Sequence, residues 1–212
     1  RVNLAALSTD ASALVVNQQG LIQARSLESR NGQIVLGGGG NNEVRVSGTL
    51  DASGTAAKVG GGSVQLTGGA VRIEGASIDA SGTEGGTIVA VAGGVMMSPA
   101  SSLKADGSTG KGGIIAVVGL NSSHADGIFS ATGATDGGGI AFGGKSIEVG
   151  QGTNVNAAGG SGANGKWVVQ STNDLTVTSD KIAYQPGAYV GANDTSRIAD
   201  VTSKDGRTGA LC

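Results

Sequence analysis

Cysteine occurs once, at Cys212, proline twice, and aromatic side chains make up 2% of the 212 residues. A lone cysteine cannot close an internal disulfide, so the redox compartment stays open. With so few rings, bulky side chains do not fill the interior, which argues against an ordinary mixed core. No apolar run reaches the roughly 18–20 residues of a membrane-spanning helix. The nearest, Thr87 to Met97, is broken by Gly93 and Gly94, so the folded chain is expected to make no stable membrane insertion. The net charge is −2, the isoelectric point is near 5.3, and Lys and Arg are scattered singly. There is no basic face for a phosphate backbone, and nucleic acid is not an expected partner. The opening Arg1-Val2-Asn3-Leu4 reads at once as a strand and lacks the charged, apolar and cleavage regions of a signal peptide. A fragment or a processed product is therefore expected.

What is abundant is glycine, 41 residues. Glycine tolerates close backbone approach and tight corners. Together with proline it reaches about a fifth of the chain, below the ~25–30% of low-complexity sequence, and no G-X-Y period suggests collagen. The glycines instead punctuate a repeat. Asp-Ala-Ser-Gly stands at residues 51–54 and 79–82, and small-residue turns follow at Ala105, Ala131 and Ala157, each 26 residues after the last. A period of this size marks stacked supersecondary units.

Within each unit, apolar pairs separated by two residues follow the glycines: Ile34/Leu36, Val64/Leu66, Ile88/Ala90, Ile115/Val117, Ile140/Phe142 and Trp167/Val169. Alternation with period two is the signature of a strand with one buried face, and Gln65 and Lys166 fall on the outward side. A second set comprises Val44/Val46, Val71/Ile73, Val95/Met97, Ile147/Val149 and Leu175/Val177. The unit containing Asn121-Ser122-Ser123-His124 lacks such a pair, which predicts a bulged or looped face there. A third strand leads into each turn, with Ile22, Leu50, Ile78, Leu103, Ile128 and Val155 as inward residues.

Units of about 26 residues with three short strands cannot bury their apolar side alone, and stacking them in parallel does so. Parallel crossovers are almost always right-handed. The expected fold is all-β: a right-handed parallel β-helix, or β-solenoid, of about seven coils with three short strands per coil. Residues 1–178 form the repeats. Residues 1–30 make an irregular first coil, with Val2/Leu4, Leu14/Val16 and Ile22/Ala24 inward. Residues 179–212, where Tyr184, the strand-breaking Pro186 and Tyr189 interrupt the pattern, read as a partial coil or cap. Small Ala52, Ala80, Ala105 and Ala157 suit the narrow corners, and Gly54, Gly82, Gly107 and Gly133 would carry the backbone round the bend.

Leu21-Ile22-Gln23-Ala24-Arg25-Ser26-Leu27, Asn31-Gly32-Gln33-Ile34-Val35-Leu36 and Val46-Ser47-Gly48-Thr49-Leu50-Asp51-Ala52-Ser53-Gly54 together resemble filamentous-haemagglutinin-type exoproteins over about residues 1–178. The resemblance implies a segment of a large bacterial adhesin exported by two-partner secretion. Such a rod is secreted to, or held at, the surface of a Gram-negative cell through an outer-membrane transporter partner. It acts in attachment, aggregation or biofilm matrix binding, against a glycan or protein receptor. The stretch from Gly191 to Val201 is similar to where such proteins pass into their next repeat block. A passive autotransporter passenger differs only in its export.

The competing class is a carbohydrate-active β-helix enzyme, a polysaccharide lyase or hydrolase, which needs clustered carboxylates or basic groups on one face. Asp51 and Asp79 stack at one corner position, but the next levels read Lys104, Phe129 and Asn156, so these aspartates are expected to be solvent-facing, partly balanced by Lys104. His124, the only histidine, has Asp126 two residues on and no second His or Cys nearby, and is expected to be an exposed loop residue rather than a metal ligand. Gly37 to Gly40 lead into Asn41, Asn42 and Glu43 rather than a periodic Asp, which predicts no structural calcium. The glycines at 137–139 and 143–144 precede no helix and do not form a phosphate loop. Trp167 is read as core. Sequons occur at Asn121 and Asn193. No catalytic residue, cofactor or metal is expected. Where a repeat breaks its own rule, function is the first suspicion, so a receptor contact is expected at Asn121, Ser122, Ser123, His124 and Asp126.

Overall fold

The computed structural model describes residues 1–8, 13–26, 31–179, 182–187 and 197–203, the last two segments as backbone only. None of these residues is helical. The first winding comprises β1 (Val2–Ala5), β2 (Leu14–Gln18) and β3 (Leu21–Gln23), and the second β4 (Gln33–Gly37), β5 (Glu43–Val46) and β6 (Thr49–Asp51). From the third winding on, the first two strands fuse. One long strand then precedes one short strand: β7 (Ser63–Ile73) with β8 (Ser77–Asp79), β9 (Thr87–Met97) with β10 (Ser102–Lys104), β11 (Ile114–Ala125) with β12 (Ile128–Ser130), and β13 (Gly139–Val149) with β14 (Asn154–Asn156). β15 (Lys166–Val177) opens a further winding before β16 (Ile182–Gly187) and β17 (Arg197–Ser203).

The chain is thus an all-β solenoid of about six turns rather than a repeat of three separate strands. The larger sheet runs β1-β4-β7-β9-β11-β13-β15-β17-β16 with β2 and β5 alongside, and the smaller runs β14-β12-β10-β8-β6-β3. Consecutive windings pair in parallel, and the first apolar pair of each unit stacks in register: Ile34, Val64, Ile88, Ile115, Ile140 and Trp167 are successive partners. All six are buried. Each such aliphatic side chain removed from water is worth roughly 1.5–3 kcal/mol, so the ladder distributes stability along the axis.

Two expected registers are corrected. In the fifth winding Phe129, not Ile128, pairs with Leu103 and Val155; Phe129 is fully buried, while Ile128 is 45% exposed. The physical reason is aromatic packing: the Phe129 ring meets Phe142 edge-on at 4.7 Å, and Phe142 meets Trp167 at 5.8 Å. In the first winding a shift between Leu14 and Val16 turns Val16 and Gln18 inward and leaves Leu14 exposed. Gln18 is tolerated because its amide bonds Gly20 O and Thr49 O, and its carbonyl accepts the Gly48 N–H. The bulged face expected in the fifth winding is present: β11 continues through Asn121–His124 with a bulge between Gly119 and Ser122.

The corner glycines serve space rather than torsion. Among the described glycines, clearly left-handed backbone is confined to Gly39, Gly75 and Gly127. A Cβ on Gly107 or Gly133 would instead overlap the carbonyl of Lys111 or Asp136. A second column, Gly62, Gly86, Gly113, Gly138 and Gly165, abuts the backbone carbonyl of the glycine one winding earlier. Aspartates complete the corner: the Ser53 and Ser81 amides donate to Asp51 and Asp79 at 3.0 and 2.8 Å. This local bond favours a turn over a continued strand, which explains the Asp-Ala-Ser-Gly phrase.

Beyond residue 179 parallel stacking ends. β16 and β17 form an antiparallel pair, and β17 meets β15 at Gln170 and Ser171. Pro186 does not break its strand; it lies in β16, at the end of the sheet, where a missing N–H is tolerated. Tyr189, Asn193 and Cys212 lie outside the described residues.

Candidate functional site

Two outward rows run along the solenoid axis on the second half of the long strands. Cross-winding pairing aligns Arg45, Arg72, Met96, His124, Glu148 and Thr176 as one row. The second row reads Glu43, Ala70, Gly94, Ser122, Ser146 and Asp174. Small side chains in the middle of the second row leave an open groove of about 400 Å³ between Arg72 and Asp174.

Charge is segregated along this groove. At one end Arg72 Nε donates to Glu43 at 2.9 Å, Arg45 pairs with the same carboxylate at 3.1 Å, and an Arg72 nitrogen lies 3.3 Å from the Met96 sulfur. In the middle His124 Nδ1 lies 3.0 Å from Glu148 and its Nε2 lies 3.8 Å from Asp126. Of the two carboxylates, only Glu148 comes within hydrogen-bond distance of the imidazole. Asp126 itself is buried beside Gly150 and Gly152, and its other oxygen accepts the Gly127 N–H at 2.9 Å. That leaves Glu148 and Asp174 as the carboxylates lining the groove.

The residues expected at a receptor contact separate. Ser122, Ser123 and His124 line the groove; Asn121 is exposed on the bulge and faces a different hollow, with Gly68, Val91 and Gly93. Ser123 points into the core, where its hydroxyl accepts the Gly119 N–H at 2.8 Å and donates to Gly143 O at 2.9 Å. His124 sits in a strand rather than an exposed loop. Arg72, Met96, Glu148 and Asp174 were not singled out from the sequence. Their signal was their place: Arg72, Met96 and Glu148 are the residues between the members of an inward apolar pair.

The aspartate corner is likewise different from expectation. The levels after Asp51 and Asp79 are Lys104, Ser130 and Asn156, following the Phe129 correction. Asp51 is buried rather than solvent-facing: Arg25 Nε donates to it at 2.6 Å, Gln23 at 3.1 Å and the Ser53 hydroxyl at 2.6 Å. Burial acts to raise its pKa, but the Ser53 hydroxyl and the Arg25 guanidinium outweigh it and hold the carboxyl below its usual value. Every lone pair is occupied by structure, so Asp51 is a corner fastener. Among the described residues no group of three or more His, Cys, Asp or Glu side chains is placed to hold a metal ion. Among the described residues no helix is long and apolar enough to cross a membrane.

The chain matches no family model, no curated protein and no solved structure. The groove and the fold are the ground for any functional reading.

Proposed function

We propose that this chain is a non-enzymatic rod segment of a secreted bacterial surface adhesin of the filamentous-haemagglutinin type, serving attachment, aggregation or biofilm matrix binding. The supporting observation is the ladder of buried, mostly aliphatic side chains that runs through about six parallel windings. Each winding contacts its neighbours along whole strands, so the stack resists bending, and its length scales with the number of repeats. In this reading the coil is right-handed, as parallel crossovers overwhelmingly are, and β15 begins a seventh coil. Export runs through an outer-membrane two-partner-secretion transporter, to the medium or the surface of a Gram-negative cell.

The test is the full open reading frame and the cellular location of its product. The proposal expects a secretion domain ahead of these repeats, a transporter gene beside it, and degradation of the product by protease added to intact cells. A protease-protected cytoplasmic product overturns it.

One observation favours a second reading, a carbohydrate-active β-helix enzyme: His124 held against Glu148 in a groove that Asp174 also lines. Two carboxyls facing across a glycosidic bond are the usual equipment for its hydrolysis. Incubation with uronate and neutral polysaccharides separates the two. New reducing or unsaturated ends that vanish in Glu148→Gln establish the enzyme; none above that control supports the rod.

A further inference from the structure

The outward face of the larger sheet divides lengthwise. Its second half carries the charged groove, whereas its first half is apolar at its centre: Val89 and Val91 on β9, Ile114, Val118 and Leu120 on β11, and Val168 on β15. Ile114 and Leu120 are 55% and 60% exposed. Gln65 and Thr67 border this surface on β7, and Lys166 and Gln170 on β15. A contiguous apolar patch rimmed by polar residues marks an interaction surface.

The relief of the face is self-complementary. The bulge between Gly119 and Ser122 raises Leu120 as a knob between two hollows, one floored by Ala141 and Gly143, the other by Gly68 and Gly93. A knob beside a hollow on one surface is what a two-fold interface requires, because each copy then supplies both parts. We propose that this face packs against the same face of a second copy of the chain, the two rods lying antiparallel.

Area and charge select that occupant. Six strands from β4 to β15 at about 4.8 Å, with about seven residues each at about 3.3 Å, give a face of roughly 650 Å², of which the apolar centre on β9, β11 and β13 is about half and the polar rim the rest. A rod alongside covers all of it, which approaches the ~800 Å² per partner of a standard interface. One extended peptide covers a single strand's width, and a small ligand only one hollow. The charged side chains on this half are Lys145 and Lys166, both towards β15. Antiparallel packing sets them opposite the amides of Asn3, Gln33 and Gln65 at the β1 end, whereas parallel packing would oppose like charges. Because the area is somewhat below standard, the association is concentration-dependent, and because it is apolar it persists in salt.

Sedimentation equilibrium of the intact chain from micromolar to millimolar concentration tests this directly. The expected result is a monomer–dimer equilibrium little changed by 0.5 M salt, which screens exposed charges. Leu120→Glu and Val91→Glu should each weaken it at least tenfold, with circular dichroism and Trp167 fluorescence unchanged. Ile128→Glu, at a residue 45% exposed on the smaller sheet, should leave it intact. A monomer throughout the range overturns the proposal, as does a dimer indifferent to both face variants. Methyl resonances of Ile114 and Leu120 that answer neutral lipid vesicles or a linear glycan instead of protein concentration also overturn it.

Discussion

The fourth and fifth windings have the same topology and opposite ways of filling it. In the fourth, Val95 and Met97 on β9 and Leu103 on β10 occupy the inward positions with aliphatic side chains. In the fifth, the equivalent positions hold Ser123, Ala125 and Phe129. The Phe129 ring stands where the fourth winding has Leu103, so a larger inward residue accompanies the smaller Ser123 and Ala125, and the aromatic stack continues as Phe142 and Trp167. The polar inward residue is tolerated because its hydroxyl replaces backbone bonds that the bulge disrupts. A solenoid winding thus accepts a polar residue and an extra one, provided that volume and hydrogen bonds are both restored nearby.

The largest expected effect breaks the regular winding. Ile88→Asp buries an unpaired carboxylate in the centre of the ladder and should unfold the chain or abolish soluble yield, a loss above about 4 kcal/mol by thermal or urea denaturation. Next, Phe129→Ala should cost about 3–5 kcal/mol as a buried ring is lost, while Ile128→Ala should stay within about 0.5 kcal/mol. Equal effects would mean that the fifth winding uses the other register.

Ser123→Val makes the fifth winding look like the fourth in sequence, yet it should destabilise by about 1–3 kcal/mol, because the Gly119 N–H and Gly143 C=O lose their partner. A stabilised variant would show that the bulge supplies those bonds otherwise.

Away from both windings, Asp51→Asn should cost about 1–2 kcal/mol near neutral pH, on the scale of hydrogen bonds to a charged group. Because the folded state lowers the Asp51 pKa, its contribution is present above the unfolded value and lost as pH falls through the folded one. Wild type and variant should therefore converge in urea titrations below the usual carboxylate range. Smallest of all, outward Gln65→Asp should change stability by less than about 0.5 kcal/mol.

The inward pairs of the long strands were readable from the sequence because five or more alternating residues leave one choice of face. The short third strand offered only three. With Ile128 and Phe129 adjacent and both apolar, alternation could not choose, although a step of 26 from Leu103 lands on Phe129 and a second lands on Val155. The groove was hidden for a different reason. Arg72, Met96, His124 and Glu148 are 24–28 residues apart and become neighbours through cross-winding register, which depends on placing the extra residue between Gly119 and Ser122. Asp51 was misread because its partner Arg25 comes from the previous winding, beyond the reach of local pattern.

The central claim is that side chains about one repeat apart stack as direct neighbours inside parallel windings. Methyl-resolved nuclear Overhauser spectroscopy on protein labelled at isoleucine and leucine methyls measures this. The account predicts contacts from Ile115 to both Ile88 and Ile140, with Ile128 showing none to Leu103. Isoleucine methyls without contacts between successive windings, or a strong Ile128 to Leu103 contact, would contradict it.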